Sequence, residues 1–281
     1  MFHKPVHRSI HLPTRALPLP WSNVCDGIIL LNLRSRQDRL QHAERQFARE
    51  NLAGCAHILV SDIEDSKREK GRGCFRTHWY AMRYALGKGW KKALILEDDF
   101  LFTQNAGEKS ARAVSKLPKG WFRLMLGSVP LAALPYGFTG LWYGHTICMT
   151  AYVASEQYMR ATQDYLHIPP TTLVPIATPP VRAIDTVHSV KFWSQTYFTI
   201  PCQILVDPNV GNVSDNVSVG GKFWAIGNPL TTVRAQTTLQ FAALFLEFII
   251  VVVIFCVIVR LAARCRRSGL PTSSRCSLRA R

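Results

Sequence analysis

Leu94–Phe102 reads LILEDDFLF: apolar residues, then Glu97, Asp98 and Asp99 side by side, then an apolar FLF. No basic residue interrupts the acids, although the chain carries a formal net charge of +16. An ionised carboxylate is costly to bury, so three of them closing a strand-like run mark the place where that run leaves the core. In open parallel sheets the space beyond the carboxyl ends of the strands is where ligands bind. The fold therefore turns on whether the flanking sequence makes Ala93–Leu96 a parallel strand.

The flanks say that it does. Asp26–Leu33, DGIILLNL, is a short apolar run of the kind shown by a strand buried on both faces. RSRQDRLQHAERQFARE follows, with Leu40, Ala43 and Phe47 at helical spacing and charge elsewhere. A second apolar run, Ala56–Val60, ends at Ser61 and Asp62, and a polar loop closes on Gly71 and Gly73. Cys74–Leu86 reads as a helix stopped by Gly87 and Gly89. With Ala93–Leu96 as the third strand, the order is βαβαβ, which predicts a mostly parallel α/β sheet flanked by helices. Beyond Leu101 the pattern loosens. Trp121–Leu126 and Ile147–Val153 read as strands, and Glu156–Tyr165 as a short helix. HIPPTTLVPIATPPVRAID, residues 167–185, reads as a proline-rich surface loop.

The chain has 281 residues, 48% hydrophobic and 19% charged, which is globular composition with room for one large core. Its eight cysteines show no CxxC pair and no zinc-ligand spacing, so a metal–thiolate site is not expected. A pI near 9.8 points to an anionic partner. The basic residues form no aromatic-interleaved stripe, and much of the excess lies at the C-terminus, so nucleic acid is not the expected partner.

Phe241–Val259, FAALFLEFIIVVVIFCVIV, holds a single ionisable group, Glu247. At ~1.5 Å per residue it crosses a hydrocarbon core of roughly 30 Å, and it reads as a transmembrane helix. Arg260, Arg264, Arg266, Arg267, Arg275, Arg279 and Arg281 follow without an acid. The expected organisation is a basic flexible leader over 1–21, a soluble domain over 22–230, a juxtamembrane linker over 231–240, the membrane helix over 241–259 and an arginine-rich tail over 260–281. This makes a single-pass membrane protein, of endomembrane type in a eukaryotic or viral-host setting. The tail prefers the cytoplasm by the positive-inside rule, whereas the lack of an N-terminal signal places the body there. The two rules oppose each other and leave orientation open. Sequons at Asn212 and Asn216 would report it.

Hard carboxylate oxygens at a strand end suit Mn²⁺ or Mg²⁺, which take one or two protein carboxylates together with substrate phosphates. Three segments stand around them in order: LNLRSRQDRL (Leu31–Leu40), GCFRTHW (Gly73–Trp79) and LILEDD (Leu94–Asp99). They resemble the I-N-L-x-x-R-x-x-R, G-C-x-x-S-H and L-E-D-D segments of glycosyltransferase family 25, the lipopolysaccharide and collagen galactosyltransferase-like enzymes. Leu31 and Thr77 depart from the usual residues. Further on, Gly144–Ser155, Val181–Asp185 and Pro201–Asn216 resemble the family's later strand, its P-V-D segment and its P-x-x-Q…S-D segment. The resemblance covers Gly27–Asn216.

The resemblance implies a GT-A-like nucleotide-sugar-binding fold and an inverting, metal-dependent transfer of galactose or glucose. The donor would be a UDP-sugar and the acceptor a glycan, lipid-linked or protein hydroxyl. In that reading Glu97 and Asp99 hold the metal. Asn32, Arg36, Arg39, His78 and Asp98 serve the nucleotide side, and Asp185 is the base that deprotonates the acceptor. An N-cap for Thr186–Trp193 is an equally simple use of Asp185. The alternative is a non-catalytic membrane protein of the same fold, acting as a binding or scaffold module.

Overall fold

The computed structural model describes residues 8–61, 72–163, 191–200, 202–207 and 210, with seven helical positions between 249 and 260. Asp185, the sequons, the 231–240 linker, most of the 241–259 run and the tail beyond Arg260 lie outside the described residues. Among the described residues no helix is long and apolar enough to cross a membrane.

The βαβαβ alternation is present. Strand β2 (Gly27–Leu33) lies between β3 (Ala56–Ser61) and β4 (Lys92–Glu97), parallel to both. Helix α2 (Gln37–Arg49) makes the first crossover and α3 (Arg72–Gly87) the second. Ile28, Leu30, Leu94 and Leu96 face one core with Ala43 and Phe47 of α2. Ile29, Leu31 and Ile95 face the other with Ala81, Met82 and Ala85 of α3. Because successive side chains alternate between faces, covering both faces demands the uninterrupted apolar runs that the sequence shows. The helices lie on opposite faces; the first crossover runs from β2 to β3, and the second reverses direction and returns from β3 past β2 to β4. The topological switch point therefore lies between β2 and β4, and the carboxyl ends of these strands are where open α/β sheets bind ligands.

Antiparallel strands widen this parallel block into a seven-stranded sheet, ordered β1-β3-β2-β4-β7-β6-β8. β1 is Arg8–His11, β6 is Arg123–Tyr136, β7 is Leu141–Ser155 and β8 is Thr196–Thr199. The expected strands Trp121–Leu126 and Ile147–Val153 fall in the long β6–β7 hairpin, whose register shifts at Met125/Gly127, Gly127/Val129 and Pro130/Ala132. Those irregularities admit glycine and proline to a strand that a regular ladder would break at Pro130. Helix α5 (Glu156–Gln163) follows β7 as expected.

The N-terminal segment departs from the flexible-leader expectation. β1 pairs antiparallel with β3 and packs Ile10 against the α3-side core, while Trp21, opening α1 (Trp21–Val24), is fully buried. The edge of β3 would otherwise expose unpaired backbone groups, and a short strand with one apolar side chain suffices to cover it.

A second, two-stranded sheet joins β5 (Phe100–Phe102) to β9 (Ile204–Val206). Helix α4 (Ala106–Val114) follows β5 and packs on α1. β9 crosses over β6 at Gly127, where a Cβ would stand 2.8 Å from the Ile204 carbonyl oxygen. Gly127→Ala is therefore expected to destabilise the protein by about 1–3 kcal/mol through overpacking against backbone. At roughly 2–4 °C per kcal/mol, a melting curve resolves the change. An unchanged melting temperature would mean that β9 is free to move aside.

Candidate active site

β4 delivers its acids to the carboxyl end of the parallel block, and each is received differently. Asp98 is nearly buried. Asn32, at the matching end of β2, donates from Nδ2 to Asp98 Oδ2 at 2.8 Å and to the Arg36 carbonyl at 3.1 Å. From α2, Arg39 donates to Asp98 Oδ1 at 2.9 Å and stands 3.3 Å from Asp99 Oδ2. Burial pushes the Asp98 carboxyl up, only partly countered by Arg39 and Asn32. Asp99 is driven further, to about 7, first by burial and then by the Glu97 charge, against the pull of Arg39. Among the described residues, two carboxylates thus share one guanidinium.

Three buried polar atoms in this cluster have no hydrogen-bond partner among the described residues: Asn32 Oδ1, Arg39 Nε and Asp99 Oδ1. Such atoms are rare in folded proteins because each carries a desolvation cost of about 1–3 kcal/mol. Acceptors at Asp99 and Asn32 and a donor at Arg39, gathered at one end of the sheet, are what a cation with an anionic or polyhydroxyl ligand would satisfy.

Glu97 turns to α3. His78 Nε2 lies 3.2 Å from Glu97 Oε1, and the Cys74 thiol donates to the same oxygen at 3.8 Å. Burial alone would raise the Glu97 carboxyl, but the His78 contact and charge, with Arg39 and Cys74, outweigh it and hold it low. His78 Nδ1 is 2.9 Å from the Tyr152 hydroxyl, and the two rings stack at 5.7 Å. Burial carries the Tyr152 phenol well above its ordinary range, so it stays neutral.

Of the residues anticipated from sequence, Asn32, Arg39, His78, Glu97, Asp98 and Asp99 converge at the carboxyl ends of β2 and β4. Arg36 does not join the acids. It pairs with Asp38 at 2.8 Å near the surface, holding that carboxyl at about 2. The residue is the N-cap of α2, with φ −108° and ψ 61°, so its side chain leaves at a different angle from that of Arg39 one turn on. Asp185 lies outside the described residues.

Residues that the sequence did not assign also reach the site. Cys74 stands one turn before His78, a Cys-x₃-His spacing that puts two ligand atoms on one helical face. This corrects the expectation that no cysteine has metal-ligand spacing. Tyr152 sits on β7 opposite Ile95 of β4, so it lies beside the α3-side core next to the acids. His42 on α2 lies 2.7 Å from the Phe100 carbonyl through Nε2, and its Nδ1 is 3.7 Å from Asp207 Oδ2. Asp207 is anchored by its own N–H, which donates to the Asp99 carbonyl at 2.7 Å.

No protein-family model matches the chain, and no curated protein matches it. Several solved structures are similar to it. One is a glycosyltransferase involved in glycosylation of the major capsid of PBCV-1, at 12% identity and TM-score 0.41, over 68% of this chain and 98% of that one. Another is mannose-1-phosphate geranyltransferase from Thermus thermophilus, at 10% identity and TM-score 0.37, over 62% and 73%. A third is the glycosyltransferase GlyE of Streptococcus pneumoniae, at 10% identity and TM-score 0.36, over 77% and 64%. At these TM-scores the superpositions relate the chains too loosely to carry any residue's role across.

Proposed function

We propose that this chain is a glycosyltransferase of GT-A-like architecture that moves a hexose, galactose or glucose, from a UDP-sugar to a hydroxyl acceptor with inversion. The observation that carries the reading is the position of Glu97, Asp98 and Asp99. They sit at the carboxyl end of β4, at the switch point with β2, with unpartnered Asp99 and Asn32 oxygens beside them. The resemblance of Leu31–Leu40, Gly73–Trp79 and Leu94–Asp99 to family 25 supports the same assignment.

Within it, the residues divide the work. Asp99, with its oxygen unpartnered among the described residues, and Glu97, about a third exposed, are the protein ligands for a divalent cation, Mn²⁺ or Mg²⁺. Bound there, such a cation offsets the charge that builds on a departing diphosphate. Arg39 fixes Asp98 and Asp99 from α2 and offers its unpartnered Nε to the donor. Asp98 and Asn32 form a rigid polar floor suited to ribose hydroxyls, and His78 braces the acid turn through Glu97. Asp185 is the base that takes the acceptor proton, with Asp207 the next candidate. The 241–259 run, whose described positions are helical and exposed, serves as a membrane anchor that holds the body near a glycan, glycolipid or protein acceptor.

The direct test is calorimetry of the chain with UDP-galactose and UDP-glucose in the presence and absence of Mn²⁺. Binding of at least one donor is expected with the cation and is expected to vanish with chelator. Equal affinity in both conditions would remove the cation role of Glu97 and Asp99, and no binding in either would remove the donor assignment.

A further inference from the structure

We infer that Cys74, His78 and Glu97 form a binding site for a thiophilic divalent cation of the Zn²⁺ class. The site lies on the α3 side of the acid turn and is separate from the Asp99 side. Cys74 Sγ, a His78 ring nitrogen and a Glu97 carboxylate oxygen all lie within 4.8 Å of one another. The separations fit tetrahedral coordination. Zinc–ligand bonds of about 2.0–2.1 Å to nitrogen and oxygen and about 2.3 Å to sulfur imply N···O and S···O edges of roughly 3.3 and 3.6 Å. The structure gives 3.2 Å for His78 Nε2 to Glu97 Oε1 and 3.8 Å for Cys74 Sγ to that same oxygen.

The chemistry agrees with the spacing. One sulfur, one imidazole and one carboxylate suit a borderline-soft cation, whereas Mg²⁺ and Mn²⁺ prefer oxygen alone. Cys74 lies in the first turn of α3, where the helix dipole favours a thiolate. His78 also has the support that ligating histidines need. With Nε2 free to ligate, the ring proton resides on Nδ1 and donates to the Tyr152 oxygen 2.9 Å away, which fixes both tautomer and ring angle. The Tyr152 ring also stacks on the imidazole, with centroids 5.7 Å apart. Three protein ligands leave one position of a tetrahedron for water or another ligand. Binding exchanges the Cys74 thiol proton for the cation, so a proton is released as the sulfur–metal bond forms. The inference does not need the sugar-transfer reading, although Glu97 is common to both, and a cation held by Cys74 and His78 draws Glu97 away from Asp99.

The test is titration of the reduced, metal-free full chain with Co²⁺, a coloured substitute for Zn²⁺, followed by displacement with Zn²⁺. A thiolate-to-cobalt charge-transfer band should grow in and saturate at one equivalent. Cys74→Ser should lose the band while keeping the wild-type melting temperature of the metal-free protein. Tyr152→Phe should keep the band and weaken binding roughly 10–100-fold. Asp99→Asn should leave the band intact. The absence of a band in the wild type, or its persistence in Cys74→Ser, would overturn the site. A chain that gives the band but binds no UDP-sugar retains this site and loses only the sugar-transfer reading. UDP-sugar binding without the band has the reverse meaning.

Discussion

Asp99→Asn is expected to cut sugar transfer by roughly 10²–10³-fold, as when one preorganised electrostatic contact is removed, while the melting temperature rises. The rise follows from the position of the group. Buried beside Glu97, the Asp99 carboxyl titrates at about 7 instead of 3.8. A raised acid binds its proton more tightly in the folded state. Its favourable contribution is complete below pH 3.8 and is lost as the pH climbs towards 7, beyond which the ionised form is a constant penalty. Asparagine keeps the shape and has no charge to bury, so the variant should gain on the order of 2–4 kcal/mol at pH 8 and almost nothing at pH 4. Melting curves across that interval should show the two proteins diverging as pH rises. Added Mn²⁺ should narrow the gap by stabilising the wild type alone. A variant that melts lower than wild type at pH 8 would mean that Asp99 is a structural anchor.

Arg39→Met should do the opposite. Its guanidinium is the cation shared by Asp98 and Asp99, and all three side chains are largely buried. Removing one partner of a buried ion pair leaves an uncompensated charge and costs about 3–5 kcal/mol. At roughly 2–4 °C per kcal/mol the melting temperature should fall by about 6–20 °C. Combining Arg39→Met with Asp99→Asn should recover part of that loss, because the double variant has one fewer unmatched carboxylate. Strict additivity of the two shifts would show that the residues do not interact, contrary to their 3.3 Å contact.

The parts of the fold that were legible in sequence are those governed by short-range pattern. β2, β3 and β4 are buried on both faces, which requires continuous apolar runs, and the acids at the end of β4 stand out because nothing beside them in sequence neutralises them. The neutralising group, Arg39, comes from 59 residues away. β1 was not legible, since RSIH offers one apolar side chain and draws its ordering from the edge of β3. The length of the β6–β7 hairpin was hidden by Gly127, Pro130 and Pro135; register shifts flank the first two, and Pro135 pairs with Trp142 next to the turn. Arg36 and Arg39 looked equivalent, and only the non-helical backbone at Arg36 separates their destinations. The Cys74–His78 pair was visible in spacing, but its third member is 19 residues beyond His78 and meets it only once α3 has packed on β4.

The Gly127 crossing also determines where the chain departs. By letting β9 pass close over β6, it brings Asp207 onto the backbone of Asp99, and Val210 hydrogen-bonds back to Asp207 at 3.3 Å. The described stretch that ends at Val210 therefore lies beside the acids and not at a remote corner. Even drawn out straight, residues 211–240 span at most about 110 Å. Whatever residues from Phe241 onward are fastened to is confined to a sphere of that radius around the acids. A single molecule in such a volume corresponds to a concentration on the order of a few tenths of a millimolar. On the proposed reading of a membrane-anchored sugar transferase, an acceptor presented on the same support would meet the site as a crowded neighbour, and weak acceptor affinity would suffice for turnover.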